Sequence, residues 1–226
     1  MSEVAPVSPD AGARTAFILA NTAILRPPHV PEIYLHLADE AHALWLKTED
    51  ELQEIGLPPP FWAFAWAGGQ GLARFILDNP EIVAGKTVLD FASGSGLVAI
   101  AAAKAGARHV AASDIDSFSA AAVRLNAELN GVAVTTVTAD LIGTVGEWEV
   151  VLAGDVFYDR ELAGRLMPWF SALVSRGAVI LTGDPGRAYL PPSGLRRLAT
   201  YAVPVTRHLE DAEVKKTSVW RVLPPT

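Results

Sequence analysis

Three short runs decide what this chain can fold into: Thr87–Phe91 (TVLDF), Glu149–Asp155 (EVVLAGD) and Ala178–Asp184 (AVILTGD). Each is apolar almost throughout over the length of a strand, without the alternation of a half-wetted strand. Such strands need cover on both faces, the condition of a parallel sheet packed between helices. The intervening text supplies those helices. Leu97–Ala105 is apolar and closed by Gly106, and Ser117–Asn130 places Phe118, Ala121, Ala122, Leu125 and Leu129 on one face. Leu162, Leu166, Phe170 and Leu173 mark a further helix, which Pro168 is expected to kink or split. With strands at His109–Ser113 and Val134–Thr138, the order implies an α/β, doubly wound sheet. Two last β-like runs, Tyr201–His208 and Thr217–Val222, have no helix between them and suggest an antiparallel addition at one sheet edge.

The N-terminal part reads differently. Residues Met1–Gly12 look frayed, and Val30–Leu37 fits a strand and a helix equally. Gly71–Leu77 looks like a short helix ended by Asn79-Pro80. Pro58-Pro59-Pro60 cannot lie inside a helix and divides an N-terminal accessory segment, residues 1–59, from the domain proper, residues 60–226. A length of 226 residues, half of them apolar, suits one well-buried domain.

Composition removes several chemistries. With no cysteine, disulfide scaffolds, thiolate metal sites and a cysteine nucleophile are excluded. The five histidines, His29, His36, His42, His109 and His208, lack metal-ligand spacing, so no metal is expected. A net charge of −7 argues against a broad nucleic-acid face. No apolar stretch reaches a membrane span, and no secretory signal opens the chain. The expectation is a cytoplasmic monomer that binds neither nucleic acid nor membrane. Glu49, Asp50, Glu51 and Glu54 form an acidic cluster, read as a solvated face or an attractor of a lysine-bearing partner.

The strongest site signal is Asp90-Phe-Ala-Ser-Gly94-Ser-Gly96, where a strand turns into a helix. Doubly wound sheets bind ligands beyond the carboxyl ends of their strands, where glycines and helix amides let a ligand approach the backbone. Asp114, 20 residues after Gly94, ends the next strand, where a carboxylate accepts both hydroxyls of a ribose. Asp140 closes the third strand and is placed for an adenine amino group. The plain alternative is that these aspartates cap helices. Gly94-Ser-Gly96-Leu-Val-Ala99 with Asp114 also satisfies the dinucleotide pattern, so a nicotinamide-dependent oxidoreductase is a rival. Against it, the motif lies deep in the chain with little room after it for a second nucleotide-binding half. Asp90 favours another reading: the turn resembles the D-x-G-x-G-x-G turn of class I S-adenosylmethionine-dependent methyltransferases. Ala92 stands at the first glycine of that pattern. Alanine is tolerated there if the residue keeps a negative φ; the departure bears on cofactor affinity, not on the reaction.

Gly154-Asp155-Val-Phe157-Tyr158 resembles the [D/E]-x-x-[Y/F] motif of seven-β-strand methyltransferases that act on protein lysines. Methyl transfer needs a neutral amine held about 3 Å from the methyl carbon. Asp155 would orient the amine, while Phe157 and Tyr158 would wall a channel and oppose by desolvation the charge that Asp155 favours. The alternative makes Asp155 a helix cap and Phe157 core. Phe61-Trp-Ala-Phe-Ala-Trp66-Ala-Gly-Gly69 reads either as an apolar lid strand or as one wall of a cofactor pocket. In Gly183-Asp-Pro-Gly-Arg187, Asp184 would cap a following helix and Arg187 would meet an acidic substrate region, or the whole is a plain turn.

Taken together, WAFAWAGGQ, TVLDFASGSG, ASDIDSFSAAAVRLNAELN, VVLAGDVFYD and LTGDPGRAYLP, in this order, resemble the electron transfer flavoprotein β-subunit lysine methyltransferase family from about Val30 to Trp220. The resemblance implies a Rossmann-like, mainly parallel seven-stranded sheet with helices on both faces. It implies S-adenosylmethionine as cofactor, a protein lysine as acceptor and the flavoprotein β subunit as partner. Trp66, Gly69, Asp90, Ala92, Gly94, Gly96, Asp114, Ile115, Asp140 and Gly154 would then hold the cofactor, and Asp155, Phe157 and Tyr158 would handle the lysine. A ribosomal protein or a small amine is the nearest alternative substrate.

Overall fold

The computed structural model describes residues 10–38, 59–205 and 213–225. The acidic cluster Glu49–Glu54, His42 and His208 lie outside the described residues. Near the N-terminus, β1 (Ala23–Leu25) and β2 (Leu35–Leu37) form a two-stranded antiparallel sheet. The main sheet has seven strands: β3 (Thr87–Phe91), β4 (His109–Ser113), β5 (Thr135–Val137), β6 (Val150–Gly154), β7 (Val179–Asp184), β8 (Leu195–Pro204) and β9 (Val214–Val222). They run in the order β5-β4-β3-β6-β7-β9-β8. The first five in that order pair in parallel, and β9 pairs antiparallel with both β7 and β8. The doubly wound sheet and its antiparallel addition are therefore as expected. β8 begins before the apolar run that marked it, because its first residues, Leu195-Arg-Arg, leave two arginines exposed and show no alternation.

Period-2 side-chain alternation sorts each central strand between two cores. Val88, Val150, Leu152 and Leu181 face a cluster built with α2 (Ala67–Asp78) and α3 (Leu97–Lys104). Leu89, Phe91, Val151, Ala153 and Ile180 face the opposite cluster, built on Leu166, Trp169, Phe170 and Leu173 of α5 (Arg160–Ser175). Pro168 sits inside α5 yet does not split it. The residue four positions back, whose carbonyl the ring crowds, is Gly164, and the buried face on either side holds the helix against the sheet.

Of the stretch read as frayed, residues 1–9 lie outside the described residues. The helix α1 (Ala11–Asn21) starts inside the stretch read as frayed, because Asp10 caps it by accepting from Ala13 N at 2.7 Å. Its Ile18 packs with Trp62, Phe118 and Ala121, the last two on α4 (Ser117–Leu129). Of the ambiguous Val30–Leu37 run, only Leu35–Leu37 is strand, β2, paired with β1, and the residues before it form a turn and irregular chain. This hairpin is tied to α4: Asn126 Oδ1 accepts from His36 N at 2.7 Å and Asn130 Oδ1 from Tyr34 N at 3.1 Å.

α2 is longer than Gly71–Leu77. It begins at Ala67, so Gly68 and Gly69 form its first turn and not a loop. Glycine weakens a helix, but here nothing larger fits at Gly68: a Cβ would lie 2.3 Å from Gly183 O and 2.5 Å from Asp155 Oδ2. Gly154 and Gly183 answer from the sheet, where a Cβ would lie 2.8 Å from Gly69 Cα and 2.1 Å from Gly68 O respectively. Four glycines thus bring the N-terminus of α2 into backbone contact with the ends of β6 and β7. Among the described residues, no helix is long and apolar enough to cross a membrane.

Candidate active site

The carboxyl ends of β3, β4, β6 and β7 open on one end of the sheet, and the turns leaving these strands build the site. After β3 the chain makes the glycine turn. Gly94 (φ 51°) and Gly96 (φ 81°) adopt left-handed conformations, and a Cβ at Gly96 would crowd Val123 at 3.1 Å. Ala92 is also left-handed, at φ 53°. The condition on which alanine was expected to be tolerated is therefore not met, and the residue carries the strain a glycine would avoid. Gly94 N donates to Asp114 Oδ2 at 2.9 Å, and Asp116 N donates to Asp114 Oδ1 at 3.0 Å. Asp114 caps no helix; Asp116 does, accepting from Phe118 N. Asp114 stays partly exposed with acceptor capacity left over, and Ile115 beside it is 78 % exposed.

Beneath this turn Asp90 is buried and accepts from Ala99 N at 2.9 Å. Burial pushes its carboxyl up to about 8, helped by the nearby charge of Asp114 and opposed by the Ala99 hydrogen bond. Ser93 Oγ, inside the turn, is buried without a hydrogen-bond partner among the described residues.

After β6 the chain presents Asp155, which is buried and strained at φ 57°. Its Oδ2 accepts from Gly69 N at 2.8 Å, at the amino end of α2. Its Oδ1 accepts from Arg187 Nη2 at 2.6 Å and Nε at 3.1 Å. Arg187 comes from the turn after β7, where Asp184 Oδ1 accepts from Gly186 N at 2.6 Å and Arg187 N at 2.7 Å. Beside this pair lies the half-buried ring of Trp66, and the exposed rings of Phe61 and Tyr158 continue from it. Phe61 lies 5.8 Å from both Trp66 and Tyr158, and the Arg187 guanidinium lies 5.6 Å from the Trp66 ring centre. Trp66 Nε1 donates to Phe61 O, and that same carbonyl lies 3.6 Å from where a Cβ of Gly94 would be. The aromatic segment therefore roofs the glycine turn and connects the two halves of the site.

A family model described as ribosomal protein L11 methyltransferase matches residues 75–182, the span from α2 through β7. The electron transfer flavoprotein beta subunit lysine methyltransferase of Xenopus laevis is 40 % identical over 228 residues, covering 98 % of this chain and 92 % of the relative. This chain belongs to that family. The Danio rerio member is 39 % identical, covering 91 % of this chain and 81 % of its own. Among solved structures, magnesium protoporphyrin IX methyltransferase from Synechocystis PCC 6803, with S-adenosylmethionine bound, aligns at a TM-score of 0.51 and 17 % identity, over 70 % of this chain and 78 % of its own. At that identity the likeness is one of fold.

The methyltransferase fold brings most of the expected residues to one end of the sheet and sets others apart. Phe157 walls no channel: it is fully buried in the core against α5. Tyr158, half exposed, is the ring at the rim, against Phe61. Asp140 lies in the surface segment past β5, where Arg165 pairs with it at 2.5 Å and holds its carboxyl below the usual range. Asp159, not Asp155, caps α5, by accepting from Leu162 N. Asp184 caps no helix, since a turn and β8 come after it. Arg187 pairs with Asp155. The Phe61 segment is a single 3₁₀ turn, not a lid strand, with Trp62 in the core stacked on Phe118 and Phe61 at the rim. Gly69 and Gly154 are glycines for the contact between α2 and β6, and Gly69 adds its N–H to Asp155. Gly68 and Gly183 form a second such contact, and the signal for both is the Gly68-Gly69 pair together with one glycine at the end of each of β6 and β7.

Proposed function

We propose that the protein transfers methyl groups from S-adenosylmethionine to lysine side chains of the electron transfer flavoprotein β subunit. The observation that carries this reading is the fixed carboxylate of Asp155, whose partner Arg187 lies by Trp66 of the aromatic segment that roofs the Asp114-bound glycine turn. Residues at the turn fit the cofactor. Ser93 Oγ is a buried polar atom in want of a partner, Gly94 and Gly96 present bare backbone, Asp114 keeps lone pairs for ribose hydroxyls, and Ile115 offers an exposed apolar face for the base. When bound, S-adenosylmethionine supplies a sulfonium methyl whose carbon–sulfur bond breaks toward sulfur as the amine lone pair forms the new carbon–nitrogen bond.

The chain's own residues hold the acceptor. Asp155 takes a hydrogen bond from the lysine amine and aims its lone pair. Tyr158, Phe61 and Trp66 line the approach of the aliphatic stem. The lysine proton leaves to solvent before transfer, and the product nitrogen releases its own afterwards. No acid or base is required to break the carbon–sulfur bond.

The test is incubation of purified electron transfer flavoprotein and, separately, ribosomal protein L11 with this protein and S-adenosylmethionine, followed by peptide mass spectrometry. Methylated lysine in the β subunit is expected. Methylation of L11 alone would move the substrate to the ribosomal reading, and no transfer to either protein would overturn both.

A further inference from the structure

A carboxylate that orients a lysine also tends to keep it protonated, and a protonated amine cannot attack. Desolvation by surrounding rings is one remedy, but the rings here do not supply it well. Phe157 is turned into the core, while Tyr158 is 52 % and Phe61 42 % exposed. The acceptor end is therefore too wet for burial alone to strip the proton.

Arg187 supplies a second remedy. Its Nη2 and Nε both bond Asp155 Oδ1, at 2.6 and 3.1 Å, and leave Oδ2 to Gly69 N. The two side chains are only 20 % and 10 % exposed, so solvent screens the pair weakly. A guanidinium keeps its charge at every working pH. Its position is fixed from two sides: its own N–H bonds Asp184 Oδ1 at 2.7 Å, and its plane lies near the Trp66 ring.

We propose that Arg187 is the charge-compensating residue of the acceptor site: paired with Asp155, it lets a carboxylate hold the substrate lysine without holding that lysine's proton. The inference rests on the lysine-methyltransferase reading. Arg187 acts through Asp155 and is a positioning residue, not a catalytic one. Among the described residues, the neighbouring charged and titratable groups include Asp184 at the end of β7, Asp90 and Asp114 on the cofactor side, and Tyr158 and Asp159 on the segment after β6. Of these, the ionised aspartates favour the ammonium form, whereas Asp90, kept protonated by burial, carries no charge below about pH 8. Arg187 is a cation set directly on Asp155.

The experiment compares wild type, Arg187→Gln and Arg187→Lys. It measures kcat for flavoprotein methylation against pH at saturating substrates, with S-adenosylhomocysteine affinity measured by calorimetry on each. kcat reports the bound lysine, whose deprotonation sets the acid limb. In Arg187→Gln that limb should move roughly 1–2 pH units alkaline, the range for one adjacent charge. S-adenosylhomocysteine affinity should stay within about threefold. Arg187→Lys, which keeps the charge, should return most of the shift. An unshifted limb, or a pH-independent loss that Arg187→Lys does not rescue, overturns the proposal while leaving the function intact. A wild type that methylates no flavoprotein lysine overturns the function itself, and this inference with it.

Discussion

Asp90 makes the stability of the cofactor-free protein depend on pH in a direction opposite to that of an ordinary paired carboxylate. Its folded-state value is pushed up to about 8 from an ordinary 3.8. Between those values the folded chain keeps a proton that the unfolded chain has released. Folding is therefore opposed increasingly as pH rises, at about 1.4 kcal/mol per pH unit for one proton. From pH 5 to pH 7 this amounts to about 2.7 kcal/mol lost, and the loss levels off above roughly pH 8. Asp90→Asn isolates the effect, since an amide oxygen still accepts from Ala99 N and no longer titrates. Urea unfolding of both proteins at pH 5, 6, 7 and 9, without cofactor, gives the difference directly. The variant should gain about 2.7 kcal/mol on wild type between pH 5 and 7. A constant offset from the extra amide protons does not alter that slope. Parallel stability curves across this range would show that Asp90 is ionised in the folded protein, and the burial argument would fail.

Ala92→Gly relieves a left-handed alanine at φ 53° and should raise stability by about 1 kcal/mol, measured as a higher urea midpoint at unchanged m; a lower midpoint would mean that unfolded-state entropy outweighs the strain. Asp114→Ala removes both the Gly94 contact and the expected ribose acceptor, and should weaken S-adenosylhomocysteine binding by about 1–3 kcal/mol in calorimetry. Unchanged affinity would take Asp114 out of the cofactor site.

Most of the sheet was legible because parallel strands buried on both faces leave a plain mark: TVLDF, EVVLAGD and AVILTGD could hardly be anything else. The glycine turn and Asp114 were legible for the same reason, being fixed in position by strand ends. What stayed hidden depended on contacts between distant segments. Whether Phe157 or Tyr158 faces the site turns on one residue of register at the end of β6, which the motif does not encode. Asp140 has the right spacing for a base contact, but its partner Arg165 comes from α5. Nothing local marks Arg187 as the partner of Asp155, since the pair closes a gap of 32 residues. The start of α1 was hidden because it rests on one capping aspartate, Asp10, within the stretch read as frayed.

The place of β9 between β7 and β8 has a consequence for how the molecule is made. The flank of β7, whose far end leads into the Asp184–Arg187 turn, has no neighbour until residues 214–222 have left the ribosome. Until then the growing chain carries β7 as a bare edge, open to pairing with any other strand. Completion of the sheet beside the acceptor site therefore waits on a long-range antiparallel pairing, a slow class of folding event. A nascent chain stalled before Val214 would hold the whole cofactor half of the site and lack support for the half that grips the lysine.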